Sequence, residues 1–203
     1  MRRNIDAWWP LVQSGAVEAI VMNASGCGVT VKEYAHSLAH DPEYAKKASR
    51  IADLTRDLSE LLPDLVETLR PRLALPRPAA ERGAGPAARS AEAPIGRIAF
   101  HPPCTLQHGQ RLRGGVEAAM NALGFEVHVA TNEAHLCCGS AGTYSVFHPE
   151  LANALRDRKL ANLDELAPSV IVSANIGCIQ HLQSGTATPV RHWVEVLDDA
   201  LAH

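Results

Sequence analysis

Between residues 51 and 69 the apolar positions fall at Ile51, Leu54, Leu58, Leu61, Leu65 and Leu69, in steps of three and four. That spacing puts them on one stripe of an α-helix. Pro63 lies inside the run, and its missing N–H predicts a split into two helices there. Elsewhere the pattern is that of strands. "SVIVSAN" (169–175) is apolar almost without interruption, as in a strand covered on both faces. "GRIAF" (96–100) and "FEVHVAT" (125–131) read as further strands. "AVEAIVMNASGCG" (16–28) reads as a short buried strand running into a glycine loop, with "VTVKEYAHSLAH" following as a helix. Leu112, Val116, Met120 and Leu123 mark a helix stopped by Gly124. Pro149 opens another over 149–166. Trp193, Leu197 and Leu201 share one face of a last helix.

Strand and helix alternate from residue 96 onward, which predicts an α/β fold with a mainly parallel sheet and flanking helices. Such sheets collect ligand groups in the loops after their strands. Residues 71–94 have no periodicity and are rich in Pro, Ala and Arg, so they read as a linker or mobile loop. The expected organisation is a first part at 1–70, the linker at 71–94 and a main domain at 95–203. "MNASGCGVTV" (22–31) echoes "SANIGCIQHL" (173–182), which suggests two copies of one unit, the first incomplete.

Composition narrows the function classes. The 203 residues are 46% hydrophobic and 20% charged, with a formal charge of −3, enough for a folded core. No basic stretch interleaves with aromatics, so nucleic acid is not an expected partner. No apolar run reaches the ~20 residues of a membrane span. "MRRNIDAWWPLVQ" lacks an apolar signal core. The expected location is cytoplasmic. In a reducing compartment the five cysteines are free or metal-bound rather than a disulfide framework.

Four of those cysteines fall in three predicted strand-end loops: Cys104 in "HPPC", Cys137 and Cys138 in "HLCCGSAGTYS", and Cys178 in "NIGCIQH". Any one of them alone reads as packing, because cysteine is often buried. Together they read as a site. Neighbouring cysteines suit a single small ion poorly, since one stiff peptide joins them; on a cluster, each thiolate can take a different iron. A vicinal disulfide is the other reading of that pair. Gly139 and "SAG" let backbone approach a bulky group and offer it N–H donors. His181 follows Cys178 at the spacing of a second ligand and joins the candidate set. His101 and His108 flank Cys104 and are candidates for supporting roles. Cys27 is either a further ligand or a loop residue. Arg111 and Arg113 read as a solvated face. The Trp8–Trp9 pair reads as packing or partner surface.

"HPPCTLQHGQ", "HLCCGSAGTYS" and "SANIGCIQHL" followed by "PVRHW" resemble, in this order, the cysteine-rich CCG domain as it occurs in iron–sulfur subunits of glycolate oxidase. The resemblance covers 97–203, and 16–62 is similar to the end of a preceding CCG repeat. It implies an α/β fold of one CCG repeat plus the end of another. It implies a [4Fe–4S] cluster on Cys104, Cys137, Cys138 and Cys178, with His181 as a fifth ligand and Cys27 and His101 as further candidates. It also implies an electron-transfer role in oxidising glycolate to glyoxylate, without substrate chemistry in this chain. FAD would sit on partner glycolate oxidase subunits, with a membrane electron acceptor and peripheral association with the inner membrane through those partners. Two features depart from the family pattern. No C-x-x-C-x-x-C run of a ferredoxin-like region occurs here, and the usual closing C-x-x-C is Cys178 to His181. The rival readings are a non-redox docking module with structural zinc or no metal, and a related lactate-utilisation or heterodisulfide-reductase-like subunit.

Overall fold

The computed structural model describes residues 1–73 and 96–202. The first part runs α1 (Arg2–Gln13), β1 (Ile20–Met22), α2 (Ser25–Lys32), α3 (Tyr34–Ser37), α4 (Ala45–Leu54), β2 (Thr55–Asp57) and α5 (Leu58–Leu69). The second runs β3 (Ile98–His101), a π-helical turn (Thr105–Gly109), α6 (Gly115–Ala122), β4 (Val127–Val129), α7 (Tyr144–Phe147), α8 (Pro149–Asp164), β5 (Val170–Ser173), α9 (Ile176–Gln183), β6 (Val190–His192) and α10 (Trp193–Asp199). Most of the expected 71–94 linker lies outside the described residues. Its start does not: Leu73 forms a bridge with Leu201, and Ala202 donates to the Arg72 carbonyl at 2.8 Å.

Four parallel strands form the main sheet, in the order β4-β3-β5-β6. This is the expected α/β fold. Side chains alternate across the strands. Ile98 and Phe100 of β3, with Val170 and Val172 of β5, pack against Leu62, Val66, Met120, Trp193 and Leu197 of α5, α6 and α10. Ala99 and Ile171 face the other way, onto Leu160, Leu163, Ile179 and Leu182 of α8 and α9. Both faces of the central strands are therefore covered, which is why "SVIVS" carries no polar alternation. After β3 the chain steps to one side, to β4; it then crosses back to β5 on the other side of β3. The crevice beyond the ends of β3 and β5 is thus a topological switch point, where such sheets bind ligands.

The break near Pro63 does not occur. β2 interrupts the helical run instead, and Pro63 sits inside a continuous α5. Proline forfeits one bond, to the Ser59 carbonyl, and its own ring is exposed on the helix surface. A capping box starts α5 afresh: Asp57 accepts from Ser59 N–H at 3.0 Å, and Glu60 accepts from Asp57 N–H at 2.7 Å. The strand also changes the helical phase, so Leu62 and Val66 are buried while Leu65 is exposed. The glycine loop expected after β1 is likewise helix, with Cys27 in the first turn of α2. β1 itself is only half-buried.

The internal echo extends well beyond ten residues. β1 pairs with β2 in parallel, Val21 opposite Arg56; β5 pairs with β6 in parallel, Val172 opposite Arg191. Cys27 and Cys178 each stand third in the helix after the first strand of the pair. Asp57 and His192 each cap the helix after the second strand, with Glu60 and Glu195 closing the two capping boxes. The two units meet edge-on: Ser25 N–H donates to the Ala174 carbonyl at 2.9 Å, and Gln110 Nε2 donates to both Ser25 O and Asp57 Oδ2.

His192 joins these halves and should make their union pH-sensitive. Its Nδ1 accepts from Val194 N–H at 3.1 Å, so Nε2 carries the proton and donates to the Asn23 carbonyl at 2.8 Å. Burial holds its pKa below the usual 6.5, against the opposing pull of Asn23 O, Glu195 and Asp57. The unfolded chain therefore takes up a proton at a higher pH than the folded one. The stability from neutral His192 is whole above 6.5 and is lost as pH falls through that value towards the lower folded pKa. Thermal melts between about pH 8 and pH 5 should show a falling Tm, part of which His192→Asn removes, because asparagine keeps the cap but does not titrate.

Candidate metal centre

The alternation that points Ala99 towards α9 points His101 the same way, since both are odd positions of one strand. His101 ends β3, fully buried, and Ser173 at the matching end of β5 donates its hydroxyl to the His101 carbonyl at 3.0 Å. Cys178 enters from the first turn of α9, and Cys138 from the loop after β4. One ring nitrogen of His101 and the sulfurs of Cys138 and Cys178 all lie within 4.8 Å of one another, and all three residues are buried. Cys104, just past the two prolines that end β3, and Cys137 are half-buried and complete the group.

The sulfurs form a chain of contacts, from Cys104 to Cys137, Cys138 and Cys178. Protons are shared unequally along it. The Cys104 thiol, followed by the Cys138 thiol and Gly139 N–H, pulls Cys137 far below the ordinary thiol range. Contact with Cys138 brings Cys178 down to about 5, helped by His101 and Asn175. Cys104 and Cys138 move the other way: proximity to Cys137 and burial hold their protons on. Thiols this close cannot all ionise together, so each one's hold on its proton depends on its neighbours.

Donors surround the sulfurs. Gly139 N–H reaches Cys137 Sγ at 3.3 Å, Asn175 Nδ2 reaches Cys178 Sγ at 3.7 Å, and Cys138 Sγ lies 3.6 Å from Ser140 Oγ. Gly139 is required by the close approach: its φ is +93°, and a Cβ there would lie 2.3 Å from the Ala152 carbonyl oxygen. All five cysteines are free, so the vicinal-disulfide reading of Cys137 and Cys138 does not hold. Cys104 precedes the π-helical turn and Cys178 is helical, so only the adjacent pair sits in a true loop.

The histidines sort differently from the sequence expectation. His181 does not join the thiols; its Nε2 pairs with the Ala152 carbonyl at 3.1 Å, beside Gly139. On α9 it stands almost one turn beyond Cys178, and it braces the loop rather than entering the group. His101 is the one that joins. Both of its ring nitrogens are buried without a hydrogen-bond partner, so the ring influences Cys178 without a well-formed bond to it. Its position at an odd residue of β3, next to the loop bearing Cys104, was the available signal. His108 turns away to the His135 carbonyl and Arg113. Cys27 is exposed in the first unit, where no matching strand brings a second thiol to it among the described residues. Trp8 and Trp9 pack partly against the core of α1 and α4. A cavity of about 560 Å³ opens between α5 and α6 on the opposite face of the sheet and contains none of the cysteines.

An α/β domain that brings cysteines from three segments to one switch-point pocket has the architecture of a cysteine-rich redox or metal-binding domain. Residues 98–183 match the CCG family, the cysteine-rich domain. The chain is 48% identical to the glycolate oxidase iron-sulfur subunit of Escherichia coli K12, over 98% of its own length and 44% of that protein. It is 27% identical to lactate utilization protein A of Geobacillus thermodenitrificans, over 88% of its own length and 69% of the relative. A probable glycolate oxidase iron-sulfur subunit of Bacillus subtilis 168 is 26% identical, with 40% of its length matched. The chain thus spans less than half of the two glycolate oxidase subunits. Among the described residues no helix is long and apolar enough to cross a membrane.

Proposed function

We propose that this chain is the cysteine-rich portion of an iron–sulfur subunit of glycolate oxidase, and that Cys104, Cys137, Cys138 and Cys178 hold a [4Fe–4S] cluster. The observation that supports it is the crowding of four free cysteines, two of whose sulfurs lie within 4.8 Å of an unpartnered, buried His101 nitrogen. Four thiolate donors are the ligand set of such clusters. The neighbouring pair suits two separate irons. His101 is a fifth donor or a close neighbour of the cluster; His181 stays outside the donor set.

When bound, the cluster supplies one-electron transfer. The protein's part is to tune it. Gly139 N–H and Asn175 Nδ2 donate to sulfur and stabilise the more negative, reduced state. Burial of Cys138 and Cys178 excludes water and acts in the opposite sense. Glycolate would be oxidised to glyoxylate on a flavin-bearing partner subunit, and electrons would leave towards a membrane acceptor through partners at the inner membrane. Residues 95–203 are the second CCG domain of this scheme, and 1–70 the end of a first repeat; the matching strand register and helix capping support that division. Lactate utilization protein A is the related alternative for the partner's substrate.

Anaerobic purification with iron, acid-labile sulfide and zinc analysis tests the reading. Iron and sulfide in near-equal, stoichiometric amounts are expected. Zinc alone, or a folded protein with no metal, would replace it with the docking-module reading.

A further inference from the structure

Lys159 is a buried charge that the thiol centre leaves unexplained. It lies on α8 and is 1% exposed. An ammonium is rarely buried without a carboxylate partner, because desolvation is costly. Among the described residues Lys159 has no such partner. Its Nζ donates to two main-chain carbonyls, Glu133 O at 2.6 Å and Ala134 O at 3.5 Å. The Glu133 carboxylate is taken by Arg158 and Asn162. Glu133 itself is held at φ +50°, an unusual conformation for a residue with a side chain. The Ala134 carbonyl also accepts from Gln107 Nε2 at 3.1 Å, which ties this loop to the segment bearing Cys104. Three residues further along the same loop come Cys137 and Cys138. Desolvation lowers the Lys159 pKa, while Glu133, Cys138 and Cys137 oppose it. The negative groups that favour its charge are thus Glu133 and the adjacent thiols.

We propose that Lys159 is the fixed counter-charge of the thiol centre: a positioning residue on α8 whose ammonium raises the reduction potential of whatever cluster the cysteines hold. This rests on the iron–sulfur reading above. The electrostatics have one sign. Reduction adds a negative charge to the centre, and a buried cation bound to the same loop as Cys137 and Cys138 stabilises that state more than the oxidised one. The role in holding the loop is separable from the charge. Glutamine can still donate to the Glu133 carbonyl but carries no charge; arginine keeps the charge.

The test uses the full chain, as wild type, Lys159→Gln and Lys159→Arg. Each is purified anaerobically, assayed for iron and sulfide, and titrated potentiometrically. At the wild-type midpoint the oxidised-to-reduced ratio of Lys159→Gln should rise about tenfold, equivalent to about 59 mV for one electron. Lys159→Arg should stay near wild type. Lys159→Gln that loads no iron beside a fully loaded Lys159→Arg also supports the charge. A fully loaded Lys159→Gln with the wild-type midpoint overturns the proposal. So does an equal loss in both variants, whether of potential or of iron, because the residue then only shapes the loop. Wild type without iron and sulfide fails the underlying reading first, and this proposal falls with it.

Discussion

Cys138→Ser should abolish iron and sulfide loading while leaving the protein folded. Cys138 is the link of the sulfur chain that touches both Cys137 and Cys178, and it lies with His101 in the most compact part of the group. Serine keeps the size and loses the soft donor, so the centre is left one sulfur short of a four-thiolate set. Loss of one supporting contact in a metal site costs about 10–100-fold in affinity, and loss of a ligand should exceed that. The folded state should lose only about 1–2 kcal/mol, because a hydroxyl buried at 1% exposure keeps a partner in Ser140. Cys27→Ser is the matched comparison. Cys27 is exposed and belongs to the other unit, so iron and sulfide should match wild type. Cys138→Ser with wild-type iron and sulfide would remove Cys138 from the ligand set. Loss of iron in Cys27→Ser would bring the first unit into the site.

What could be read from the chain beforehand follows from which forces are local. β5, with an apolar residue at nearly every position, announces a strand buried on both faces, and α8 announces itself with Pro149. The four cysteines could be grouped because an alternating strand–helix order brings strand ends to one rim of a parallel sheet. Their order along the sheet could not be read, since nothing local fixes β4-β3-β5-β6. β2 was hidden for a different reason. "TRD" has no strand-like pattern, and its three residues are strand only because β1 lies beside them. Pro63 misled because a helix can carry a proline when its packing elsewhere holds it together, which is a tertiary fact. The histidines divided on their partners and on strand parity. His181 has the familiar ligand spacing after Cys178 and lies on the same side of α9, but the Ala152 carbonyl claims its Nε2. His101 has no spacing motif; only the pleat of β3 turns it towards the sulfurs. Lys159 was invisible, because its burial comes from the loop of 133–138 folding over α8.

Gly139→Ala should be among the most damaging single-methyl changes in the chain, and it would test how the loop is held. At φ +93° any side chain is strained, by about 1–2 kcal/mol. The added Cβ would also meet the Ala152 carbonyl oxygen at 2.3 Å and His181 Nε2 at 3.1 Å. Backbone on α8 cannot swing aside as a flexible side chain can, so the overlap adds about 1–3 kcal/mol. The sum, about 2–5 kcal/mol, corresponds to a Tm fall of roughly 5–20 °C for a domain of this size. The loop can relieve the overlap only by moving off α8, which would pull Gly139 N–H from Cys137 Sγ and separate Cys137 from Cys104. Metal loading should therefore fall together with stability. Gly142→Ala isolates the two causes. Gly142 has φ +60°, but a Cβ there would have nothing within 4 Å, so it carries the conformational cost of about 1 kcal/mol without the clash. A Gly142→Ala protein that melts near wild type and loads fully, beside a Gly139→Ala protein that does neither, would place the constraint in the contact with Ala152. Equal damage from both would place it in the left-handed backbone of the loop, and the packing of the loop on α8 would then contribute little to the centre.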